Sequence, residues 1–486
     1  MDFINQKQYD KLCEFCDEIL YNNLNFKNII AIQWLHVIRY HPIFINEYRL
    51  IFEKVNALKF ILFLAQKALR YFIKSFIDIL ISINYGYKTS KEHNNYNSIF
   101  ITHLLNREQL ELKEDFYFFN FPNILKNPSE KNLIIYINHI DNNYDFQNFN
   151  LDCKEILSPY LGIKDELKFR LIVLKNFFRI FKNVKTNNQI QFRIKLQAAV
   201  ESFSPSTISN IRIGVQIQNL VSIVRPKFIF HTYEGHSLER VIFHSAKNSK
   251  PDIKCIAYQH SLIFDNQHSI FRKLNRKYDP DFIMCSGKNG FEKLKKSGLV
   301  KKDNILLVGS NRTNKSSQKL ELKSEIKDSK ILFLPEGDLI ECIPMLKMAI
   351  TLALGMPLDK FIFRLHPITS LEKLMTSVDK IPDNLEISSL SLEDDFKRSF
   401  YAIYRGSTTI IKAIEFGLIP IYYNYKNTNI NPINNVEFQI SNLPDFLKIR
   451  EIPKNSILKK QKEIKNNIDN YFSELNYQVF IKKFIE

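Results

Sequence analysis

The most regular part of the 486-residue sequence lies at residues 401–423, which read YAIYRGSTTIIKAIEFGLIPIYY. An apolar run ends at Tyr404, a glycine turn with hydroxyl residues follows, and a helical stretch then runs from Thr408 to Phe416. Gly417 stops that stretch, and the apolar run IPIYY comes next. Two short apolar runs joined by a helix predict a βαβ unit with parallel strands. The amino end of the helix then lies at the carboxyl end of the first strand.

The same alternation extends toward the amino end of the chain. Helices are predicted at Ser206–Val224 and Ser237–Ala246. Short apolar runs predict strands at Ser98–Leu104, Phe116–Asn120, Asn132–Ile137, Lys227–His231, Lys254–Tyr258, Asp281–Cys285, Ile331–Leu334, Phe361–Leu365, Ala402–Tyr404 and Ile419–Tyr423. The polar segment from Asn311 to Lys330 separates them into two series and predicts a linker. Strands alternating with helices in this way predict two doubly wound, Rossmann-like α/β domains.

The first 90 residues show a different pattern. Apolar residues recur there at three- and four-residue spacing, first around Ile29–Ile38 and again at Leu62–Ile77, which predicts helices. The polar break Thr89–Asn97 closes this region. We therefore predict a helical region at 1–90, a first domain at 91–315 and a second domain at 316–486. The helical region is expected either to pack on the first domain or to contact an anionic membrane.

Composition narrows the classes of function. Lys and Arg number 68 against 51 Asp and Glu, and the net charge of +17 is spread along the chain. Such a charge favours polyanions, nucleotides or an anionic membrane face. No helix-turn-helix, zinc or aromatic ribonucleoprotein signature accompanies it, so nucleic acid is not an expected partner.

Neither export nor membrane insertion is expected. The start, MDFINQKQYD, lacks the basic and apolar pattern of a secretory signal. Four charged residues interrupt the most apolar stretch, Phe60–Ile83, whereas a spanning helix needs about 20 consecutive apolar residues. The six cysteines are scattered and are expected to be ordinary reduced thiols. The expected location is the cytoplasm.

Polar residues follow five predicted strands, and ligands of doubly wound sheets bind at these carboxyl ends. The five positions are Thr232–His236, Gln259–Ser261, Pro335–Gly337, His366–Pro367 and Arg405–Thr409. Candidates for binding a nucleotide or phosphate are Glu336, Gly337, Arg364, His366, Pro367, Arg405, Gly406, Ser407, Thr408 and Thr409. Candidates for the opposite, acceptor side of the cleft are Tyr233, Gly235, His236, Gln259, His260 and Ser310.

The chemistry of these residues suggests roles, each with a plainer alternative. Ser407 and Thr408 suit a phosphate at a helix amino end, or they merely cap that helix. Pro367 holds His366 extended at the rim of the sheet, where its imidazole can donate to a phosphate, unless it is an ordinary loop histidine. Glu234 lies between Tyr233 and Gly235 at the end of the run FIFHT. Desolvation by the aromatic residues is expected to raise its pKa and make it a base, unless it caps a helix. Glu336 is a base, a ribose ligand or a helix-start acid.

The sequence also resembles a known family. The runs SPSTISNIRIGVQIQNLVSIVRPKFIFHTYEGHSLERVIF, IAYQHSLIF, PDFIMCSG, ILLVGSNR, ILFLPEGDLIEC, FIFRLHP and YRGSTTIIKAIEFGLIPIYY resemble bacterial glycosyltransferases of the GT-B type that build lipopolysaccharide or capsule. More distantly, the acid-glycine, His-Pro and Ser/Thr elements resemble bacterial sialyltransferases, polysialyltransferases and Kdo transferases, which use CMP-sugars.

The resemblance implies two lobes with a sugar-nucleotide cleft between them, no cofactor other than the CMP-linked donor, and a glycan or lipid-linked acceptor. It makes Glu234 the general base of an inverting transfer, His366 a ligand of the CMP phosphate, and Ser407 and Thr408 further nucleotide contacts. No metal is expected, because Asp279-Pro280-Asp281 reads as a turn and Asp394-Asp395 as part of a helix. A UDP- or GDP-sugar enzyme and a non-catalytic envelope-assembly protein stay open as alternatives.

Overall fold

The computed structural model describes residues 4–83, 96–125, 131–140, 153–182, 186, 188–312, 330–433 and 438–486. Most of the predicted polar break at 89–97 and of the predicted linker at 311–330 lies outside these ranges. Both predicted domain boundaries, after residue 90 and after residue 315, also lie outside them and stay predictions.

The first lobe is built on a seven-stranded, entirely parallel sheet. Its strands are β1 (Tyr96–Leu104), β2 (Lys131–Asn138), β3 (Lys154–Ile156), β4 (Phe228–Thr232), β5 (Lys254–Gln259), β6 (Phe282–Cys285) and β7 (Ile305–Leu307). Their spatial order is β3-β2-β1-β4-β5-β6-β7, so the order reverses direction between β1 and β4. Ligands of such sheets bind at this reversal, beyond the carboxyl ends of the strands.

The second lobe repeats the principle with six parallel strands. They are β8 (Lys330–Leu334), β9 (Phe361–Arg364), β10 (Leu385–Ser388), β11 (Ser399–Tyr404), β12 (Ile419–Tyr423) and β13 (Gln439–Ile440), in the order β10-β9-β8-β11-β12-β13. The prediction of two doubly wound parallel sheets is confirmed. This is the two-lobed arrangement that the resemblance to GT-B enzymes implied.

One predicted strand is wrong. Residues 116–120 form a turn, in which the Asp115 carboxylate accepts the backbone N–H groups of Tyr117 and Phe118 at 2.9 and 2.7 Å. Phe119 has a positive φ of 51°, which an extended strand does not allow. The run is apolar because Phe118 and Phe119 pack beneath the first sheet, not because it joins the sheet.

Helices cover the faces of both sheets. In the first lobe and the region before it they are α1 (Gln6–Tyr21), α2 (Lys27–Ile30), α3 (Pro42–Ile45), α4 (Arg49–Phe52), α5 (Ala57–Ser82), α6 (Phe121–Ile124), α7 (Ile163–Lys182), α8 (Gln189–Glu201), α9 (Pro205–Val224), α10 (Ser237–Ser249), α11 (His268–Phe271) and α12 (Lys288–Ser297). The rest are α13 (Leu339–Gly355), α14 (Leu371–Met375), α15 (Leu392–Lys397), α16 (Ile410–Glu415), α17 (Leu443–Arg450), α18 (Lys454–Asn467) and α19 (Tyr477–Phe484).

The amino-terminal region packs on the first lobe. Leu12, Ile29 and Leu35 share one buried cluster with Ile194 and Ala198 of α8. The helical pattern around Ile29–Ile38 resolves into α2 and a 3-10 turn, Gln33–His36, because the chain turns at Val37 with φ 35°. Among the described residues, no helix is both long and apolar enough to cross a membrane.

The last helix crosses back from the second lobe to the first. Phe480 and Phe484 of α19 lie 5.8 and 5.6 Å from the ring of Phe230 in β4, inside the core of the first lobe. Residues before α19 are held there as well, since Ser473 accepts the backbone N–H of Ser310 at 2.8 Å. The predicted second domain, 316–486, therefore ends in contact with the first lobe.

Candidate functional site

A cleft of about 320 Å³ lies between the two lobes, at the carboxyl ends of their strands. It is called the inter-lobe cleft below. The residues predicted from the sequence that line it are Glu234 from the first lobe and Glu336, Gly337, His366, Gly406, Ser407, Thr408 and Thr409 from the second. Three loops of the second lobe, which are distant in sequence, thus meet Glu234 across one space.

The amino-terminal region contributes a cation that the sequence analysis missed. Arg39 lines the inter-lobe cleft with Phe44, and its guanidinium carbon lies 4.0 Å from the ring centre of Phe264. The side chain makes no ion pair or hydrogen bond with any other described residue. Burial lowers the pKa of Arg39, although the carboxylates of Glu336 and Glu234 counteract this. A guanidinium that lines a cleft with no ion-pair or hydrogen-bond partner among the described residues is suited to an anionic ligand.

Glu336 is held in the cleft by the same amino-terminal region. Its carboxylate lies 3.0 Å from Nε2 of the buried His41. Burial raises the pKa of Glu336, but the hydrogen bond with His41 and its charge outweigh this, and the pKa is lowered. A Cβ at Gly406 would overlap this carboxylate, so a larger residue there would force Glu336 out of its position beside His41. The helix-start acid of α13 is Asp338 and not Glu336, because Asp338 accepts the N–H of Ile340.

The hydroxyls of residues 407–409 do not cap α16. α16 begins at Ile410, later than predicted, and Thr409 at its N-cap makes no side-chain cap hydrogen bond. Ser407, Thr408 and Thr409 make no side-chain hydrogen bond with any described residue. Their hydroxyls line the cleft and are available there as donors and acceptors for a ligand.

His366 can donate a hydrogen bond into the cleft. Its Nδ1 accepts the backbone N–H of Ile368 at 3.4 Å, which leaves Nε2 to carry the proton of the neutral ring. Burial lowers the pKa of His366, with Glu336 acting in the opposite sense. The neutral imidazole is thus favoured at neutral pH, and it serves as a hydrogen-bond donor and not as a charge.

Two predicted phosphate ligands point elsewhere. Arg364 pairs with Asp395 at 2.6 Å and donates to the carbonyl of Leu390, on the side of α15. Arg405 is almost fully buried and pairs with Glu341 of α13. Neither of them, nor Pro367, lines the inter-lobe cleft. Arg405 instead holds the start of the 405–409 loop against α13, through its ion pair with Glu341.

Glu234 is held as an ionised carboxylate, contrary to the expected raised pKa. Burial raises its pKa, but the hydrogen bond from His236 and the charges that His260 and His236 carry when protonated outweigh burial, and the pKa falls far below its usual value. Its oxygens lie 3.5 Å from Nε2 of His236 and 3.7 Å from Nε2 of His260. The expectation failed because it weighed the neighbouring aromatic residues and left out these imidazoles.

The loop that carries Glu234 is fixed by Glu239. The Glu239 carboxylate accepts the backbone N–H groups of Glu234, Gly235 and His236 at 2.8, 2.8 and 3.0 Å. Gly235 has a φ of 90°, which a residue with a side chain adopts only with strain. The alternative that Glu234 caps α10 is therefore wrong, because Glu239 plays that part.

A second cavity, also of about 320 Å³, shares Glu234 with the inter-lobe cleft. It is called the histidine cavity below, because His103, His139, His231, His236 and His260 line it. Burial lowers the pKa of His231 and of His260 to about 4, so both are neutral at neutral pH. His236 differs: burial lowers its pKa, but Glu234 and Glu239 raise it more. The cavity therefore offers mostly neutral hydrogen-bonding groups.

Three residues predicted for the acceptor side lie behind the cavities. Tyr233 is buried in the core, where its hydroxyl donates to the carbonyl of Ile270 at 3.2 Å. Gln259 packs against Gly290 and donates to Ser286 at 3.4 Å. Ser310 is buried, and its hydroxyl accepts the N–H of Arg312 at 3.2 Å. His236 and His260 are the members of that group that line the histidine cavity.

Comparisons with known proteins leave the family open. No protein-family model and no curated protein matches the chain. Among solved structures, a UDP-GlcNAc 2-epimerase from Methanocaldococcus jannaschii in complex with UDP-GlcNAc and UDP is 12% identical, with 74% of this chain and 92% of that chain covered and a TM-score of 0.42. A glycosyltransferase from Rickettsia africae is 13% identical, with 80% and 97% covered and a TM-score of 0.40. The lipopolysaccharide outer core galactosyltransferase WaaB is 8% identical, with 79% and 98% covered and a TM-score of 0.40. Likenesses of this size establish neither a family nor a function.

Proposed function

We propose that the protein is a glycosyltransferase of bacterial lipopolysaccharide or capsule synthesis. It binds a nucleotide-activated sugar in the inter-lobe cleft and transfers the sugar to a hydroxyl of a glycan or lipid-linked acceptor in the histidine cavity. One observation carries the proposal: Glu234 lines both cavities. A carboxylate between two adjacent cavities can contact an acceptor hydroxyl in one while a sugar phosphate occupies the other. The cytoplasmic location expected from the sequence belongs to the same proposal.

The groups around the cleft support binding of the phosphate. Arg39 supplies a positive charge, His366 supplies a neutral N–H donor, and the 407–409 loop supplies hydroxyls. Together they can stabilise the charge that develops on a leaving phosphate without a metal ion. One guanidinium suits one phosphate, which favours a CMP-sugar, best a nonulosonic acid such as a sialic acid or Kdo. A UDP- or GDP-sugar is the alternative, and it needs a second phosphate subsite.

The transfer we propose is a single displacement with inversion. The acceptor oxygen attacks the anomeric carbon, and the bond from that carbon to the phosphate oxygen breaks, leaving its electron pair on the nucleotide. The hydroxyl proton passes to Glu234, which His236 and His260 keep ionised. A carboxylate of low pKa is a weak base, so the proton moves late, when the attacking oxygen has become acidic.

Nucleotide binding to the purified full chain tests the proposal. CMP, UDP, GDP and dTDP are compared by thermal shift and by calorimetry. We expect CMP to raise Tm most and to bind with the highest affinity. A preference for UDP or GDP would exclude the CMP-sugar but keep a glycosyltransferase, whereas the absence of binding by all four nucleotides would contradict the function itself and favour a non-catalytic envelope-assembly protein.

A further inference from the structure

Helix α5 is attached to the protein by few residues. Of its 26 residues, Phe60, Leu64, Asp78 and Ser82 are buried. Asp78 faces inward and pairs with Arg212 of α9 at 3.0 Å and with Arg170 of α7 at 3.6 Å. Two of the four buried residues are thus polar, whereas a helix that covers a core buries mainly apolar side chains.

The opposite face of α5 is apolar and exposed. Leu58, Leu62, Ala65, Leu69, Phe72, Phe76 and Leu80 follow one another at three- or four-residue spacing and form one stripe along the helix. Phe72 is 63% exposed and Phe76 is 59% exposed. At about 100° per residue, this stripe lies across the helix from Phe60 and Leu64. The apolar side of α5 therefore points away from the protein.

α7 continues the same surface. Arg170 of α7 donates to Ser75 and pairs with Asp78, which holds the two helices side by side. α7 also exposes large apolar side chains, among them Leu167, Leu171 and Phe178. Eighteen of the 31 exposed large apolar side chains recorded for the described residues lie on these two helices. Clustering of this kind marks an interaction surface rather than scattered exposure.

The charges at its edge identify the partner. α5 and α7 carry eight exposed cations, Lys59, Arg70, Lys74, Lys164, Lys168, Lys175, Arg179 and Lys182. Their one exposed acid is Asp165. A second copy docked on the same face would bring these cations against their own equivalents. A bilayer with anionic headgroups instead accepts the apolar stripe and pairs with the cations.

We propose that the α5/α7 surface, defined by the exposed apolar and cationic side chains of these two helices, binds the protein peripherally to an anionic bilayer. α5 lies in the plane of the interface with its stripe among the acyl chains, and the lysines and arginines reach the headgroups. The inference restricts the membrane alternative for residues 1–90 to α5 and extends it to α7, because residues of α1–α4 pack in a buried cluster with α8. It does not depend on the proposed glycosyltransferase activity.

The test is co-sedimentation of the full chain with phosphatidylcholine vesicles, with and without phosphatidylglycerol. We expect binding to the anionic vesicles that weakens at high salt. Replacing Phe72, Phe76 and Leu80 together with Gln should lower the partition coefficient more than about tenfold, since buried apolar area drives insertion. Replacing Lys59, Arg70, Lys168 and Lys175 with Gln should lower it more than about 100-fold at low salt.

Two control variants make the same number of changes outside α5 and α7. In the first, the exposed Leu354, Leu358 and Leu447 of the second lobe are replaced with Gln. In the second, the exposed Lys301, Lys302, Lys459 and Lys462 are replaced with Gln. Both should bind vesicles as the unchanged protein does. Because every substituted side chain is exposed, Tm should hold in all variants.

Three results would overturn the proposal. The first is no binding to anionic vesicles, and the second is wild-type binding by the Phe72/Phe76/Leu80 variant. The third is a dimer in sedimentation velocity that the same three substitutions abolish, because the surface would then belong to a second copy of the chain.

Discussion

The two walls of the inter-lobe cleft are prepared in opposite ways. On the first-lobe wall, Glu234 is already held by His236 and His260. On the second-lobe wall, the hydroxyls of residues 407–409 make no hydrogen bond with a described residue. A held carboxylate keeps its position without a ligand, whereas hydroxyls without protein partners can exchange water for the oxygens of a ligand. Under the proposed function, the first wall therefore serves the chemical step and the second serves nucleotide binding.

The largest effect is expected from Glu234→Gln. Removing a positioned base typically costs 10² to 10⁴-fold in rate, so kcat should fall by about that factor. The affinity for the nucleotide should change less than about threefold, because the amide keeps the shape of the carboxylate. Steady-state kinetics and calorimetry measure the two quantities separately. Full transfer activity in this variant would remove Glu234 from the base role and turn attention to Glu336.

A control for that variant is Glu463→Gln on the exposed side of α18. It makes the same chemical change far from both cavities and should leave kcat and nucleotide affinity as they are.

The next largest effect is expected from Arg39→Gln. A charged hydrogen bond to an anion contributes about 1.5–3 kcal/mol, so nucleotide affinity should fall roughly 10- to 100-fold. Calorimetry with CMP measures the change. Arg276→Gln, an exposed arginine on the first lobe, is the matched control and should bind CMP normally. Unchanged affinity in Arg39→Gln would mean that the phosphate lies elsewhere in the cleft.

His366→Ala should have a smaller effect on both binding and turnover. A neutral imidazole donates one uncharged hydrogen bond, which contributes about 0.5–1.5 kcal/mol, so CMP affinity should fall roughly 2- to 10-fold. Since the contact is to the leaving phosphate, kcat should fall as well. A loss of kcat alone, with CMP affinity unchanged, would contradict the assignment of the second-lobe wall to nucleotide binding.

The smallest effect is a change in how stability depends on pH. The raised pKa of His236 means that the folded protein holds this proton more tightly than the unfolded chain. The contribution of this proton to the stability of the fold is complete below about pH 6.5, and it is lost as pH rises through the pKa of His236 in the folded protein. The pKa of Glu234 is lowered, so its ionised carboxylate stabilises the fold above about pH 4.5. This stabilisation is lost as pH falls.

Thermal melts should show both the effect and its source. Between about pH 6.5 and pH 8.5, the Tm of the unchanged protein should fall by about 1–2 °C more than the Tm of His236→Gln. Equal slopes in the two proteins would contradict the ion pair between His236 and Glu234.

The sequence predicts the sheets well, because their central strands are continuous buried apolar runs. The predicted strands other than Phe116–Asn120 are present, with ends within three residues of those expected. All four edge strands were missed. β3, Lys154–Ile156, is only half-buried, β7 and β10 have three and four residues, and β13 has two, so none of them carries a clear pattern. The run at 116–120 misled because burial alone does not distinguish a packed turn from a strand.

The site was predicted in part, for a related reason. Strand-end rules locate Glu234, Glu336 and His366, since each follows its own strand. Arg39 and His41 follow no strand, and they reach the cleft through the fold of the amino-terminal region. Likewise, His260 comes to Glu234 from the end of the neighbouring strand. Contacts between residues far apart in sequence cannot be found from local pattern, and here they determine the pKa of the carboxylate.

The path of α19 has a consequence for how the chain matures. A nascent chain emerges amino end first, and domains generally fold in that order. The first sheet, however, packs Phe230 against Phe480 and Phe484, which are synthesised after the whole second lobe. One face of the first lobe must stay uncovered throughout that interval. Chains interrupted before α19 would keep this apolar face exposed, and they should be the species that molecular chaperones and proteases recognise first.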